Sequence, residues 1–269
     1  LSYLMKRYAE EVSSKIKSGT TEQCQLRLIS KRWIGGCKVV NLTKSHFEKY
    51  REDRLKEVKS GIVKAELTLI QRVFKTAIKE WGYGILVNPV ANIELPKSAK
   101  PRTRRLHSNE LSTLIFHAEK QRNKYISTII QFAVETGMRR SEILKLTWND
   151  VNLDTGIASL YDTKNGDDRH IPLTKIAIEL LSNLTKSSEF VFPISANCLR
   201  LAWERCRNKS NIKGLRFHDL RHEAVSRFFE MGLSVPEVAL ISGHKDVRQL
   251  FRYTHLKPES LIAKYSQIF

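Results

Sequence analysis

Apolar residues recur at three- and four-residue steps through the first third of the chain. Between positions 63 and 81, Leu67, Ile70, Phe74, Ala77, Ile78 and Trp81 fall on one face of a helix. The stretches 2–17, 22–34 and 44–58 show the same period more weakly, so residues 1–95 are expected to form a small four-helix domain. Helical spacing assigns Trp33, Phe74 and Trp81 to its core rather than to base stacking. After position 105 the pattern becomes mixed. Helices are expected at 108–120 (Ser108 as N-cap), 123–136 and 140–146. Short strands follow at 151–153, 157–163 and 169–173, joined by the turns D-T-G and K-N-G-D-D. Further helices fit 174–184, 195–209, 218–231, 235–242, 246–252 and 258–267, with Ser234 and Glu237 as a capping-box start. The expected fold class is mainly α with a small antiparallel β-sheet.

The seam between the two patterns is N-P-V-A-N-I-E-L-P-K-S-A-K-P-R-T-R-R, residues 88–105. Its three prolines forbid a continuous helix, which predicts an extended, basic linker at 96–105 between domains 1–95 and 106–269. The formal net charge of +18 is far more than solubility requires. Residues 1–97 carry 19 Lys+Arg against 10 Asp+Glu and residues 98–269 carry 27 against 18, so both halves are equally basic. A polyanion is the natural partner, with nucleic acid ahead of an anionic membrane surface, and a two-sided grip on DNA fits better than one basic tail. No apolar run is long enough to span a bilayer, and the opening L-S-Y-L-M-K-R-Y is too polar for a signal peptide. The chain does not begin with Met, so an upstream segment is expected. Cys24, Cys37, Cys198 and Cys206 form no C-x-x-C pair and read as reduced thiols of an intracellular protein, neither disulfide frame nor zinc site.

Candidate chemistry centres on Tyr253, nine residues after His244 in I-S-G-H-K-D-V-R-Q-L-F-R-Y-T-H. A phenol is a poor nucleophile at neutral pH. It becomes credible when cations hold a phosphate, a base takes the proton and an acid serves the leaving group. T-G-M-R-R-S-E (136–142) places Arg139 at the start of a helix behind a helix-ending glycine. F-H-D-L-R-H (217–222) places His218 and Arg221 on one helical face, and two guanidiniums offer planar bidentate donors to a phosphodiester. Glu142 lies three residues after Arg139, on the same side. T-K-N-G (163–166) carries Lys164 at a hairpin tip, where Asp167 and Asp168 are the alternative partners that would neutralise it. Gly243 lets the backbone approach a ligand beside His244. Tyr125, Tyr161 and Tyr265 lack the relation to His244 and read as packing groups. His222 shares with His218 a spacing used by helical metal ligands, but no third ligand is near, so it reads as an orienting or packing histidine.

In order and spacing, Arg139, Lys164, His218, Arg221, His244 and Tyr253 together resemble the tyrosine recombinase (phage-type integrase) family. The segment F-H-D-L-R-H-E-A-V-S-R-F-F-E-M-G looks close to its phage-integrase and shufflon-recombinase branch. Ser242 departs from the leucine usual two positions before the histidine. The resemblance implies an N-terminal core-binding domain and an integrase-type catalytic domain. It implies that Arg139 and Arg221 clamp the scissile phosphate, and that His218 is general base or hydrogen-bond partner of the nucleophile. Lys164 would protonate the departing 5′ oxygen, His244 would donate to a phosphate oxygen, and Glu142 would orient Arg139 or a histidine. Tyr253 would form a 3′-phosphotyrosyl bond, with recombination passing through a Holliday junction and needing no cofactor and no metal. The implied partners are double-stranded DNA with specific recombination sites, a tetramer of the chain itself exchanging residues 258–269, and accessory DNA-bending proteins, in the cytoplasm at the nucleoid. Two other readings remain open: a type IB topoisomerase-like relaxing enzyme, and a catalytically inactive DNA-binding regulator on the same fold.

Overall fold

The computed structural model describes residues 1–16, 19–85, 87–99, 102, 104–161 and 168–254. It divides into two compact units, Leu1–Pro101 and Arg102–Phe269. Among the described residues, no helix is long and apolar enough to cross a membrane.

The first unit holds helices α1 (Ser2–Glu11), α2 (Gly19–Ser30), α3 (Trp33–Gly36), α4 (Lys44–Glu57) and α5 (Ser60–Lys79). The helix expected over 2–17 stops at Glu11 and gives way to a 3₁₀ turn at Ser13–Lys15. There the buried Ser13 donates to Glu22 of α2 at 2.9 Å, so the chain bends to bring a buried polar pair together. On α5, Leu67, Ile70, Phe74 and Ala77 are buried as the periodicity predicts, joined by Val63 and Val73. Of the three aromatics assigned to the core, Phe74 is fully buried and Trp81 packs at its margin beneath Arg7. Trp33 is 44% exposed, because α3 turns its neighbour Ile34 inward instead.

A buried ion pair joins α4 to α5. Arg54 forks onto Glu66 (Nε to Oε2 2.9 Å, Nη2 to Oε1 2.7 Å), and Tyr50 donates to the same carboxylate at 2.8 Å. Removing one partner leaves the other as an uncompensated interior charge, so Glu66→Ala should cost roughly 3–5 kcal/mol. Urea denaturation of the full chain reads this as a lowered midpoint for the helical unit.

The described residues between the units form no helix or strand, yet both ends of the seam are anchored. Val90 and Ile93 are buried in the first unit's core. Arg102 pairs with Asp219 at 2.9 Å, Arg104 with Glu110, and Arg105 with Glu223 and Glu230.

The second unit begins with α6 (Glu110–Glu119) and α7 (Tyr125–Thr136), followed by the short α8 (Arg140–Ile143). The N-cap of α6 is Asn109 and not Ser108. The Glu110 carboxylate instead reaches back to accept from the His107 amide at 2.9 Å. Strands β1 (Val151–Asn152), β2 (Ile157–Leu160) and β3 (Arg169–Pro172) make an antiparallel sheet in the order β1-β2-β3, with Leu160 opposite Arg169. Helices α9 (Lys175–Ser182), α10 (Ala196–Lys209), α11 (Asp219–Glu230) and α12 (Val235–Ser242) complete the described fold. The expected capping box closes at α12, where the Ser234 amide donates to Glu237 at 2.6 Å. A single helix over 246–252 does not form. Two 3₁₀ turns, Val247–Gln249 and Phe251–Tyr253, flank the fully buried Leu250, and Asp246 caps the first by accepting from the Arg248 amide. The segment 258–269 lies outside the described residues.

Candidate active site

Two glycines with left-handed backbones place the cationic residues. Gly137 ends α7 at φ 62° and packs its bare Cα face against Ala224 and Phe228 of α11. The chain then turns through buried Met138 to Arg139, which caps α8. Gly243 ends α12 at φ 68° and leads to His244. Its lack of a side chain makes room for the Arg169 guanidinium, with which a Cβ would collide. The close approach expected at Gly243 is thus made by a protein cation.

Arg221 is 4% exposed and donates to the Gly137 carbonyl at 2.6 Å and the Ser242 carbonyl at 2.5 Å. Arg139 donates to the next carbonyl, Gly243, at 3.2 Å. The two guanidiniums therefore meet at consecutive carbonyls where α12 ends. Glu142 holds Arg139 from both sides, accepting from its amide at 2.8 Å and from Nη1 at 2.7 Å. Oε2, the oxygen that takes the amide, also accepts from Arg169 Nη2 at 2.7 Å. Glu142 thus orients Arg139, as the sequence suggests, and its second partner is a buried arginine, not a histidine. Burial alone would raise the Glu142 carboxyl, but Arg169 and Arg139 outweigh it and hold it below the usual carboxylate range.

His218 stands at the N-cap of α11 and His222 one turn further on, their rings edge to face at 5.1 Å. Tyr253 is buried on the last 3₁₀ turn, stacks on His222 with ring centres 5.5 Å apart, and shares a short hydrogen bond between its hydroxyl and His222 Nδ1. The resemblance implies His218 as the partner of the Tyr253 hydroxyl; in the structure that hydroxyl meets His222. The i, i+4 relation of the two rings was the available signal, but the reach of a residue 31 positions away decides between them. Burial raises the Tyr253 hydroxyl above its ordinary range, against the pull of Arg252 and Arg221. It is a protonated phenol at neutral pH.

Ser242 donates its hydroxyl to Val238 O, one turn back on α12, and lies 2.7 Å from His244 Nδ1. With its single proton on the carbonyl, the serine oxygen accepts from Nδ1–H, which assigns the lone pair of the neutral ring to Nε2. The departure from leucine therefore fixes the orientation of His244. Burial, then Arg221 and Arg139, push His244 down to about 3. Burial and His218 push His222 down to about 4, and burial with Arg221 lowers His218.

Arg139, Glu142, His218, Arg221, His244 and Tyr253 thus share one region of the second unit, with Arg169 and His222 added by the fold. Lys164 lies outside the described residues, as do Asp167 and Tyr265. Tyr125 packs on Phe192, but Tyr161 is not a packing group: it is 61% exposed, because strand alternation turns it outward after buried Leu160. The cysteines are unpaired, and among the described residues no cluster of His, Cys, Asp and Glu could hold a metal.

The histidine environment sets a pH dependence. Unfolded histidines take up protons below about pH 6.5, whereas His222 and His244 stay neutral in the fold until about 4 and about 3. The unfolded chain binds more protons in that window, so stability falls as pH drops from about 6.5 toward 4. Calorimetry should show a lower Tm at pH 5 than at pH 7.5, and His244→Gln should flatten the difference.

Known proteins resemble this chain in sequence and in fold. The model of the phage integrase family matches residues 104–260. A shufflon-specific DNA recombinase of Escherichia coli is 36% identical over 274 aligned positions, covering 98% of this chain and 71% of its own length. A lambda integrase (75–356) dimer bound to a COC′ core site shares the fold with a TM-score of 0.80 at 21% identity, over 94% of this chain and 95% of that one. A lambda integrase tetramer bound to a Holliday junction matches with a TM-score of 0.76 at 20% identity, over 95% of this chain and 78% of that one.

Proposed function

We propose, from the premise that the chain belongs to the phage integrase family and is a tyrosine recombinase, that Tyr253 is its nucleophile and the pocket around Arg139 and Arg221 its phosphate site. The observation that carries this assignment is the meeting of both guanidiniums at the Ser242 and Gly243 carbonyls, with the buried Tyr253 near enough to feel the Arg221 charge. A phosphodiester entering there gains planar, always-charged donors for its non-bridging oxygens. As the pentacoordinate transition state gathers charge on those oxygens, the donors bind it more tightly than the ground state.

Tyr253 attacks the phosphorus, the P–O5′ bond breaks, and the DNA 3′ end remains as a phosphotyrosyl ester. Lys164 gives its proton to the departing 5′ oxygen. His218 supports the phosphate pocket from the N-cap of α11. His244 takes up a second proton when the phosphate offsets the arginine charge, and Nε2–H then donates to a phosphate oxygen. One phosphoester replaces another, so a partner strand's 5′-hydroxyl can reverse the step without ATP. The full reaction joins specific sites in double-stranded DNA through a Holliday junction. It runs within a tetramer of the chain held by residues 258–269, with accessory DNA-bending proteins, at the nucleoid.

The test uses duplex sequences selected from a random pool by binding to the full chain, then nicked so that cleavage traps the enzyme. An SDS-resistant protein–DNA adduct is expected, absent with Tyr253→Phe and slowed about 10²–10³-fold with Arg221→Ala. An undiminished adduct with Tyr253→Phe sinks the assignment. Exchange of strands between two labelled duplexes separates recombination from simple relaxation.

A further inference from the structure

We infer that His222 is the catalytic base that takes the phenolic proton of Tyr253 as the phosphotyrosyl bond forms. The inference rests on Tyr253 being the nucleophile and goes beyond it by assigning the proton. His222 Nδ1 is hydrogen-bonded directly to the Tyr253 hydroxyl, and the two rings stack 27° from parallel. His218 meets the His222 ring edge-on at 5.1 Å, so it stands behind the base rather than at the phenol. Because the phenol is protonated, its O–H donates to Nδ1. The imidazole then carries its own proton on Nε2 and holds a lone pair toward the nucleophile.

The surroundings of His222 disfavour its protonated form. His222 is faced by His218, Asp219 and Arg221 on α11, by Arg252 beside Tyr253, and by His244 beyond α12. The positive groups outnumber the single carboxylate, and with burial they disfavour the imidazolium. Burial and these charges push His222 down to about 4. A phosphodiester against Arg139 and Arg221 supplies the missing negative charge. It removes part of the repulsion on an imidazolium at the moment one must form.

The step balances as follows. A lone pair on the Tyr253 oxygen forms the new bond to phosphorus, and the phenolic proton passes to His222 Nδ1. The P–O5′ electron pair leaves with the 5′ oxygen, which is protonated by the acid assigned to Lys164. On rejoining, the imidazolium returns its proton to the departing phenolate.

The experiment follows single-turnover adduct formation on the selected, nicked duplex with the full chain. His222→Asn keeps a hydrogen-bond acceptor near the Nδ1 position but takes no proton, and duplex binding within about twofold of the parent reports that the site is intact. Its rate is expected to fall about 10²–10³-fold and to rise log-linearly with pH. Added imidazole is expected to restore cleavage to His222→Ala and to leave His218→Asn unchanged. A His222→Asn rate within about threefold of the parent overturns the inference. So does a slow variant with the parent's pH profile and no imidazole rescue of His222→Ala, which describes a structural histidine. Should His222→Ala not fold, the rate and pH profile of His222→Asn decide alone. Tyr253→Phe runs alongside: an adduct there discards the nucleophile itself, whereas loss of the adduct with normal cleavage by His222→Asn discards only the base.

Discussion

Arg221 is a cation almost wholly withdrawn from water, and the second unit is arranged around that problem. Burying a charge costs several kcal/mol unless the interior supplies hydrogen bonds. Here the acceptors are the carbonyls of Gly137 and Ser242, at the C-terminal ends of α7 and α12. Those ends carry unpaired carbonyls and the negative pole of each helix, so guanidinium and helix ends stabilise one another. At the same two points a left-handed glycine turns the chain, toward Arg139 after α7 and toward His244 after α12. Holding Arg221 in place therefore also fixes where the second arginine and the histidine emerge.

The resulting pocket is short of negative charge. Arg139, Arg169, Arg221 and Arg252 act there against Glu142 and Asp219, and Glu142 is shared by two of the arginines. This imbalance favours an anion, and burial together with it keeps His222 and His244 neutral. On the proposed reading, one set of arginines serves two tasks: it holds the phosphate and, through that phosphate, adjusts the protonation of the histidines around Tyr253. Ser242 adds a positional element by giving its hydroxyl proton to Val238 and receiving one from His244. The leucine usual at this position has no hydroxyl and could not hold the ring this way.

Much of the fold is legible in local pattern. The buried face of α5, the glycine stop after Thr136 and the capping box at Ser234 depend on residues within one or two turns, and all three appear in the structure. Expectations fail where a neighbour from elsewhere intervenes. Ser13 bends the end of α1 to reach Glu22, and buried Leu250 splits the expected last helix into two turns. Trp33 follows helical spacing but lies on a helix of only four residues, too short for periodicity to decide which side faces inward. Arg169 carries no local signal: its burial depends on the space left by Gly243, 74 positions along the chain.

The order of a few residues alone carries the resemblance to the family: a phenol, two guanidiniums, histidines and a lysine at family-like spacings. Side-chain type and short-range spacing are written directly into a sequence, so that inventory needs no coordinates. Which histidine meets the phenol is a different matter. His218 and His222 are equivalent to any local rule, being one turn apart on the same helix. Tyr253 reaches the second because the turn Phe251–Tyr253 packs beside the first turns of α11, and the distance between segments so far apart in the chain is set by packing alone.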